Sequence, residues 1–448
     1  MSTDIRVARL PRDPGPAAWD AILPSAPPPE PLAGHTTADW LVIGAGFAGL
    51  AAARRLSLLD PGGRVAVLEA RRVGAGPAGR NSGFMIDLPH DLSSEDYGGE
   101  AEADRLQIAG NRAAIAFARE TAEAFGLPRE AFDPAGKVNA AATQRGLAHN
   151  AAYARHLDRL GEPYRMLDAA EMRALTGTDH YRGGLRTPGT VMLQPALFVR
   201  GVAAGLASNR VRVHEESPVT ALARAGGAWR AETPGGSVSA PRAILAVNGH
   251  AESFGFFRGR LLHVFTYASM TRPLAPAEAR ALGGAPRWGV TPADPMGTTV
   301  RRVSGTGGER IVIRNRFTCD PAMEVGSARL DRVARDHDRA FRARFPMLAG
   351  VEMEHRWGGR LCLSRNGAPA FGEIAEGLFA ACCQNGLGTA KGTLAGMLAA
   401  DLAAGAGNPL LEAMLAAAPP ARLPPAPLAA LGANAVMRWG EFRAGAEL

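Results

Sequence analysis

The chain has 448 residues, 46% of them apolar, which at roughly 100–200 residues per domain predicts two or three domains, or two interleaved ones. No apolar run reaches the roughly 18–20 residues of a membrane span, and the charged, proline-rich opening "MSTDIRVARLPRDPGPAAWD" has no apolar segment of the signal-peptide kind, so a cytoplasmic protein is expected. The formal net charge of +7 is nearly all arginine, Lys137 and Lys391 being the only lysines; the arginines lie among acids and form no basic run, which argues against a nucleic-acid partner.

In chain order, residues 1–37 read as a Pro- and Ala-rich arm, pinned to the body by Trp19 and Leu32. "ADWLVIGAG" reads as a buried strand, "FAGLAAARRLSLLD" as a helix stopped by the following Pro and Gly, and "RVAVLEA" as a second buried strand. Strand, glycine turn, helix and strand thus follow within about thirty residues, the context a dinucleotide fingerprint requires. Gly44 allows the tight turn, Gly46 lets the backbone approach a pyrophosphate, and Gly49 lets helix and strand pack closely. Glu69 closes the second strand, where a carboxylate accepts hydrogen bonds from ribose hydroxyls. The helix N-terminus offers free N–H groups and a positive dipole to phosphates.

A pure NAD-binding unit continues into its next strand soon after that acid. Here the glycine-rich "ARRVGAGPAGRNSGFM" follows instead. Helices are expected over 101–126, over 145–160 and in "DAAEMRALTG". A meander of short strands then runs to "AILAV", and 259–274 and 298–318 alternate like strands. "RLDRVARDHDRAFRARFP" reads as an amphipathic helix, and residues 406–448 as an Ala-, Pro- and Leu-rich tail. Far downstream, "NGLGTAKG" is a second glycine turn that opens another helix. Two widely separated glycine turns suit an elongated FAD, gripped at its pyrophosphate and again at its ring. Cys319, Cys362, Cys382 and Cys383 show neither CxxC spacing nor a Cys/His cluster, so no metal site is expected and a reducing compartment fits.

With these motifs in place, the chain resembles the FAD-dependent amine and amino-acid oxidoreductases of the D-amino-acid oxidase/glycine oxidase superfamily. It is most similar to the branch containing γ-glutamylputrescine oxidase. The resemblance runs over roughly residues 30–440 and rests on "PLAGHTTADWLVIGAGFAGL", "LEARRVGAGPAGRNSGF", "MLQPALFVRGVA", "AILAVNG", "RWGGRLCLSRNGAPAFG" and "NGLGTAKGTLAGMLAADL". It implies an α/β (α+β) fold in which a Rossmann-type FAD-binding domain (38–125, 190–258 and 350–405) is interleaved with a sheet-rich substrate domain (126–189 and 259–349). By position it implies that Gly79, Arg80, Asn81, Ser82 and Gly83 lie along the flavin. Val219 is expected at the adenine side, and Gly386, Leu387, Gly388 and Thr389 at the pyrimidine edge of the ring. Where the family loop commonly reads G-A-S-G-R-N-G-G, this chain has Gly76, Pro77, Ala78, Gly79, Arg80, Asn81, Ser82 and Gly83. Asn366-Gly367 replaces the expected Asp-Gly.

The implied reaction is oxidation of a C–N bond in a small amine or an amino acid, N-substituted or not. Hydride passes to flavin N5, water hydrolyses the imine, and electrons go on to O2 or an acceptor protein. FAD oxidation of an alcohol or hydroxy acid, and a flavin-binding subunit that acts only within a complex, are the alternatives. Lys391 opposes the dipole in the first turn of its helix; it either faces the flavin, assisting electron transfer or oxygen activation, or snorkels outward. His263 and Tyr267, on a substrate-domain strand, either orient the amine or are satisfied sheet residues. Arg301, Arg302, Arg314 and Arg316 are candidate carboxylate binders. Asp87, His90, Asp91, Glu95 and Asp96 form either an acidic gate for cationic amines or a solvated loop. Cys362 lies where some sarcosine oxidases attach FAD covalently, but a buried apolar cysteine with non-covalent FAD is the reading preferred.

Overall fold

The runs Trp40–Ile43 and Val65–Leu68 are buried at every residue, as continuous apolar strands of a parallel sheet covered on both faces must be. They sit in a six-stranded sheet whose order is Val211–His214, Val65–Leu68, Trp40–Ile43, Arg242–Leu245, Leu378–Cys382 and Ala370–Ala375. The first five strands run parallel and the last is antiparallel. The structure, a computed structural model, describes residues 4–89 and 99–448.

Helix Phe47–Leu59 and helix Ala390–Ala404 pack directly on one another on one face of this sheet. The small residues of the second helix permit that approach. A Cβ on Gly396 would lie 2.0 Å from the Ala48 carbonyl oxygen, and one on Gly392 would lie 3.4 Å from Phe47 Cβ. Each of the two helices follows a glycine turn, so their close packing sets the turns side by side although they are far apart in sequence.

A second sheet has eight strands in the order Met353–Ser364, Leu261–Thr271, Arg310–Cys319, Thr299–Val303, Trp288–Pro292, Lys137–Ala141, Gly183–Thr187 and Arg165–Leu167. Met353–Ser364 falls in a stretch expected to belong with the nucleotide-binding part. It pairs along its length with Leu261–Thr271 through the antiparallel backbone ladder. Helix Ser327–Arg344 covers the outer face of this sheet, with Val333, His337, Ala340 and Phe341 buried beneath it.

The two chain ends are more structured than their compositions suggest. Asp4–Arg6 and Gly34–Thr37 are the edge strands of a five-stranded sheet built on the meander Ala221–Ala240. Trp19, 1% exposed, lies in a core cluster with Met270, Val312 and Trp357; Leu32 is buried in another. The tail forms helices Pro409–Ala416 and Ala426–Ala444. Glu441 and Asn434 of the latter accept hydrogen bonds from the N–H groups of Phe317 and Cys319. Glu447 caps the strand end at Ala142 and Thr143. Among the described residues no single helix is long and apolar enough to cross a membrane.

Candidate cofactor-binding and active site

One cavity of about 1180 Å³ runs from the first glycine turn, along the carboxyl ends of the parallel strands, to the face of the eight-stranded sheet. Gly44 and Ala246 flank the point where the strand order reverses, the crevice in which open α/β sheets bind their ligands.

The three fingerprint glycines do different things. Gly44 has φ +102°, a conformation that only glycine adopts freely, and a Cβ there would sit 2.7 Å from the Ala246 carbonyl oxygen. A Cβ on Gly49 would be 1.7 Å from the Gly44 carbonyl oxygen, so helix and turn touch through bare backbone. Gly46 lines the cavity, and its absent Cβ would meet only Ala78 Cβ, at 3.5 Å. The room it leaves is on the cavity side. Its N–H has no acceptor among the described residues. The Glu69 carboxylate accepts from the Ala45 N–H at 2.8 Å and the Arg71 N–H at 3.0 Å. Burial raises its pKa, opposed by those two N–H groups. Glu69 and Val219 both line the cavity.

In the loop after Glu69, Arg80, Asn81 and Ser82 line the cavity, whereas Gly79 and Gly83 serve packing. A Cβ would lie 1.9 Å from the Gly74 carbonyl oxygen at the former and 2.0 Å from Arg301 Nη1 at the latter. The Arg80 guanidinium does not turn toward the cavity's contents. It donates to the carbonyls of Ala75 (2.8 Å), Gly358 (3.0 Å), Pro14 (3.3 Å) and Gly15. Trp19 Nε1 donates to the Asn81 carbonyl at 2.8 Å. Arg301 completes the brace, donating to the carbonyls of Ser82 (3.0 Å), Gly83 (3.1 Å) and Leu193 (2.7 Å) between the rings of Trp19 and Phe84. Its burial lowers its pKa to about 10.

At the second turn, Gly386, Leu387, Gly388, Thr389 and Lys391 all line the cavity. Thr389 Oγ1 donates to the Phe84 carbonyl at 2.7 Å, which ties this turn to the first loop. The N–H groups of Gly388 and Thr389 find no acceptor among the described residues. Lys391 stands in the first turn of helix Ala390–Ala404, its side chain half-buried at the cavity wall.

The remaining sequence candidates fall as follows. His263 and Tyr267 do not line the cavity. The His263 ring pairs with Glu252 at 2.7 Å. The Tyr267 hydroxyl bonds Thr318 Oγ1 at 2.5 Å, beneath Phe265 and Val333. Strand alternation puts both on the far face, while their neighbours Val264 and Thr266 line the cavity. Thr266 Oγ1 is buried with no hydrogen-bond partner; alternation sets it opposite Tyr267 but does not say which face is inward. Of the four arginines, Arg301 holds the loop, Arg302 pairs with Glu309, and Arg316 pairs with Asp336 and Glu441. Arg314 lines the cavity, its guanidinium 4.5 Å over the Phe317 ring. Asp87 is 1% exposed and bonded to Thr190 and Arg112, so it is no surface gate; His90, Asp91, Glu95 and Asp96 lie outside the described residues.

Cys362 is 2% exposed. The adjacent Cys383 thiol and burial push its thiol well above the usual range, which disfavours the thiolate that covalent attachment needs. Among the described residues no group of His, Cys, Asp or Glu could hold a metal ion. The groups on offer, two glycine turns with free N–H donors, a carboxylate acceptor at a strand end and an apolar wall of Phe84, Ile86 and Leu387, fit an elongated flavin dinucleotide.

Comparisons with known proteins agree. The family described as "DAO: FAD dependent oxidoreductase" matches residues 39–402. A probable oxidoreductase OrdL of Rhizobium meliloti is 27% identical over 412 residues, covering 88% of this chain and 90% of that protein. The gamma-glutamylputrescine oxidoreductase of Escherichia coli is 26% identical over 378 residues, covering 82% of this chain and 84% of that protein. In structure, the glycine oxidase of Geobacillus kaustophilus superposes with a TM-score of 0.67 at 21% identity, covering 83% of this chain and 96% of that one.

Proposed function

The chain belongs to the DAO family of FAD-dependent oxidoreductases, and from that premise we propose that it oxidises the C–N bond of a small amine or an amino acid, N-substituted or not, and passes the electrons to O2 or an acceptor protein. The observation that carries this reading is the single cavity in which the two glycine turns meet a chamber floored by Thr266 and Arg314. FAD, when bound, supplies the hydride acceptor; the chain supplies binding, orientation and electrostatics.

Gly46 and the helix start at Phe47 would offer N–H groups to a pyrophosphate, and Glu69 would accept from ribose hydroxyls. The free N–H groups of Gly388 and Thr389, with the dipole of helix Ala390–Ala404, favour negative charge at the pyrimidine edge. Lys391 adds a cation at the same wall. Leu387, Phe84 and Ile86 exclude water from the reacting carbon. Thr266, with its unmade hydrogen bond, orients the amine. Arg314, stacked on Phe317, attracts a carboxylate on amino-acid substrates. The similarity to the gamma-glutamylputrescine oxidoreductase favours amines that carry such a distal group.

Anaerobic mixing with a panel of primary amines, N-methyl amino acids and hydroxy acids tests the reading. Amines bleach the flavin and hydroxy acids do not. Bleaching by hydroxy acids alone would overturn it.

A further inference from the structure

The N-terminal arm enters the cavity wall. Val7, Arg9, Leu10, Pro11 and Asp13 line the same cavity as Gly44, Gly46 and Glu69. The segment is held at both ends and along its length. Asp4–Arg6 pairs with Ala221–Ala225, and the Ala8 N–H donates to the Ser253 carbonyl at 2.9 Å. Arg9 reaches across to the Ala322 carbonyl at 3.0 Å, next to the eight-stranded sheet. Arg80 then grips the carbonyls of Pro14 and Gly15, and Trp19 is driven into the core.

Asp13 is the telling residue. Its side chain is fully buried, with Arg71 at 3.6 Å and Arg360 at 4.0 Å, yet neither oxygen makes a hydrogen bond. A buried carboxylate without hydrogen bonds is costly, and these separations are too long to remove that cost. Arg71, Arg80 and Arg360 surround this one carboxylate with positive charge at the cavity wall, so its unused acceptor capacity faces the cavity's occupant.

We propose that Val7–Asp13 is a cofactor-binding segment: it closes over the FAD, and the Asp13 carboxylate accepts a hydrogen bond from a hydroxyl of the cofactor. FAD then enters and leaves only when this strap lifts. The inference rests on the FAD assignment and not on the amine reading, so a failed substrate panel leaves it standing.

The test is FAD release from the holoenzyme, followed by flavin fluorescence after dilution into an excess of an apo-flavoprotein that binds FAD tightly. A chain lacking residues 1–12 and the point variants Asp13→Ala and Arg9→Ala are compared with the parent. Release quickens about tenfold or more in the truncated chain and in Asp13→Ala, tenfold in an equilibrium constant being about 1.4 kcal/mol. Trypsin cleavage after Arg9 and Arg12 is slow in the holoenzyme and fast once FAD is removed. Unchanged release from the folded truncated chain, or from Asp13→Ala should the truncation not fold, overturns the proposal. Cleavage that FAD does not slow overturns it equally.

Discussion

Gly46→Ala and Gly49→Ala differ by three positions in one turn, and the structure assigns them opposite consequences. At Gly49 the new Cβ would stand 1.7 Å from the Gly44 carbonyl oxygen and 2.8 Å from its carbon. Both are backbone atoms, and Gly44 is itself backed by the Ala246 carbonyl, so no rotamer change relieves the clash. Helix Phe47–Leu59 must shift by more than an ångström, an overpacking cost of about 1–3 kcal/mol or more. At Gly46 the nearest atom to the new Cβ is Ala78 Cβ at 3.5 Å, an ordinary contact, and the backbone is extended with φ −87°. Losing glycine at this helix N-cap costs up to about 1 kcal/mol, offset by about 0.4–1 kcal/mol from reduced unfolded-state entropy. Apo Gly46→Ala is therefore within about 1 kcal/mol of the parent by urea unfolding, while its methyl occupies the approach to the pyrophosphate. FAD affinity by fluorescence titration falls about 10- to 100-fold, or roughly 1.4–2.8 kcal/mol. Parental FAD affinity in Gly46→Ala, or equal apo destabilisation in the two variants, would refute the assignment.

Lys391→Met leaves FAD content unchanged and slows flavin turnover by about 10²-fold, the usual effect of removing one electrostatic group aimed at developing charge; stopped-flow reduction and reoxidation traces check it. Thr266→Val lowers kcat/KM for the best amine by about tenfold, ~1.4 kcal/mol, with FAD content and melting temperature held. Trp19→Phe keeps the buried ring but orphans the Asn81 carbonyl, costing about 1–3 kcal/mol in chemical denaturation. His337 is buried beside Arg356, and its pKa is pushed down to about 3, by burial first. The unfolded chain therefore takes up a proton near pH 6.5 that the folded chain refuses. This stability is full above the unfolded pKa and declines as pH falls, by about 2 kcal/mol from pH 6.5 to pH 5; His337→Gln shows a shallower acid decline in urea titrations at the two pH values.

The nucleotide turn was legible in the sequence because its requirements are local. A strand of four apolar residues, three glycines and a carboxylate at the next strand end each meet a constraint set within about thirty residues. The second turn at Gly386–Thr389 was legible for the same reason. Helix positions were equally local: Gln144–Leu160, Ala169–Thr176 and Ser327–Arg344 stand where composition and periodicity put them.

What the tertiary structure decided was direction and company. Period-2 alternation told that Thr266 and Tyr267 face opposite ways, but which way is inward depends on the helix Ser327–Arg344 that covers one face. Arg301 and Arg314 look alike in sequence; only the position of the Ser82 and Gly83 carbonyls makes the first a brace. Trp19 and Leu32 were expected to pin the arm, and both are buried; the burial of Asp13 carried no sequence signal, because it depends on Arg71 and Arg360, far away along the chain. By itself the sequence determined that a dinucleotide is gripped, since glycine and backbone N–H groups do that work within one turn. Which side chains surround the rest of the cavity was decided by packing between elements, where separation in sequence carries no information about distance in space.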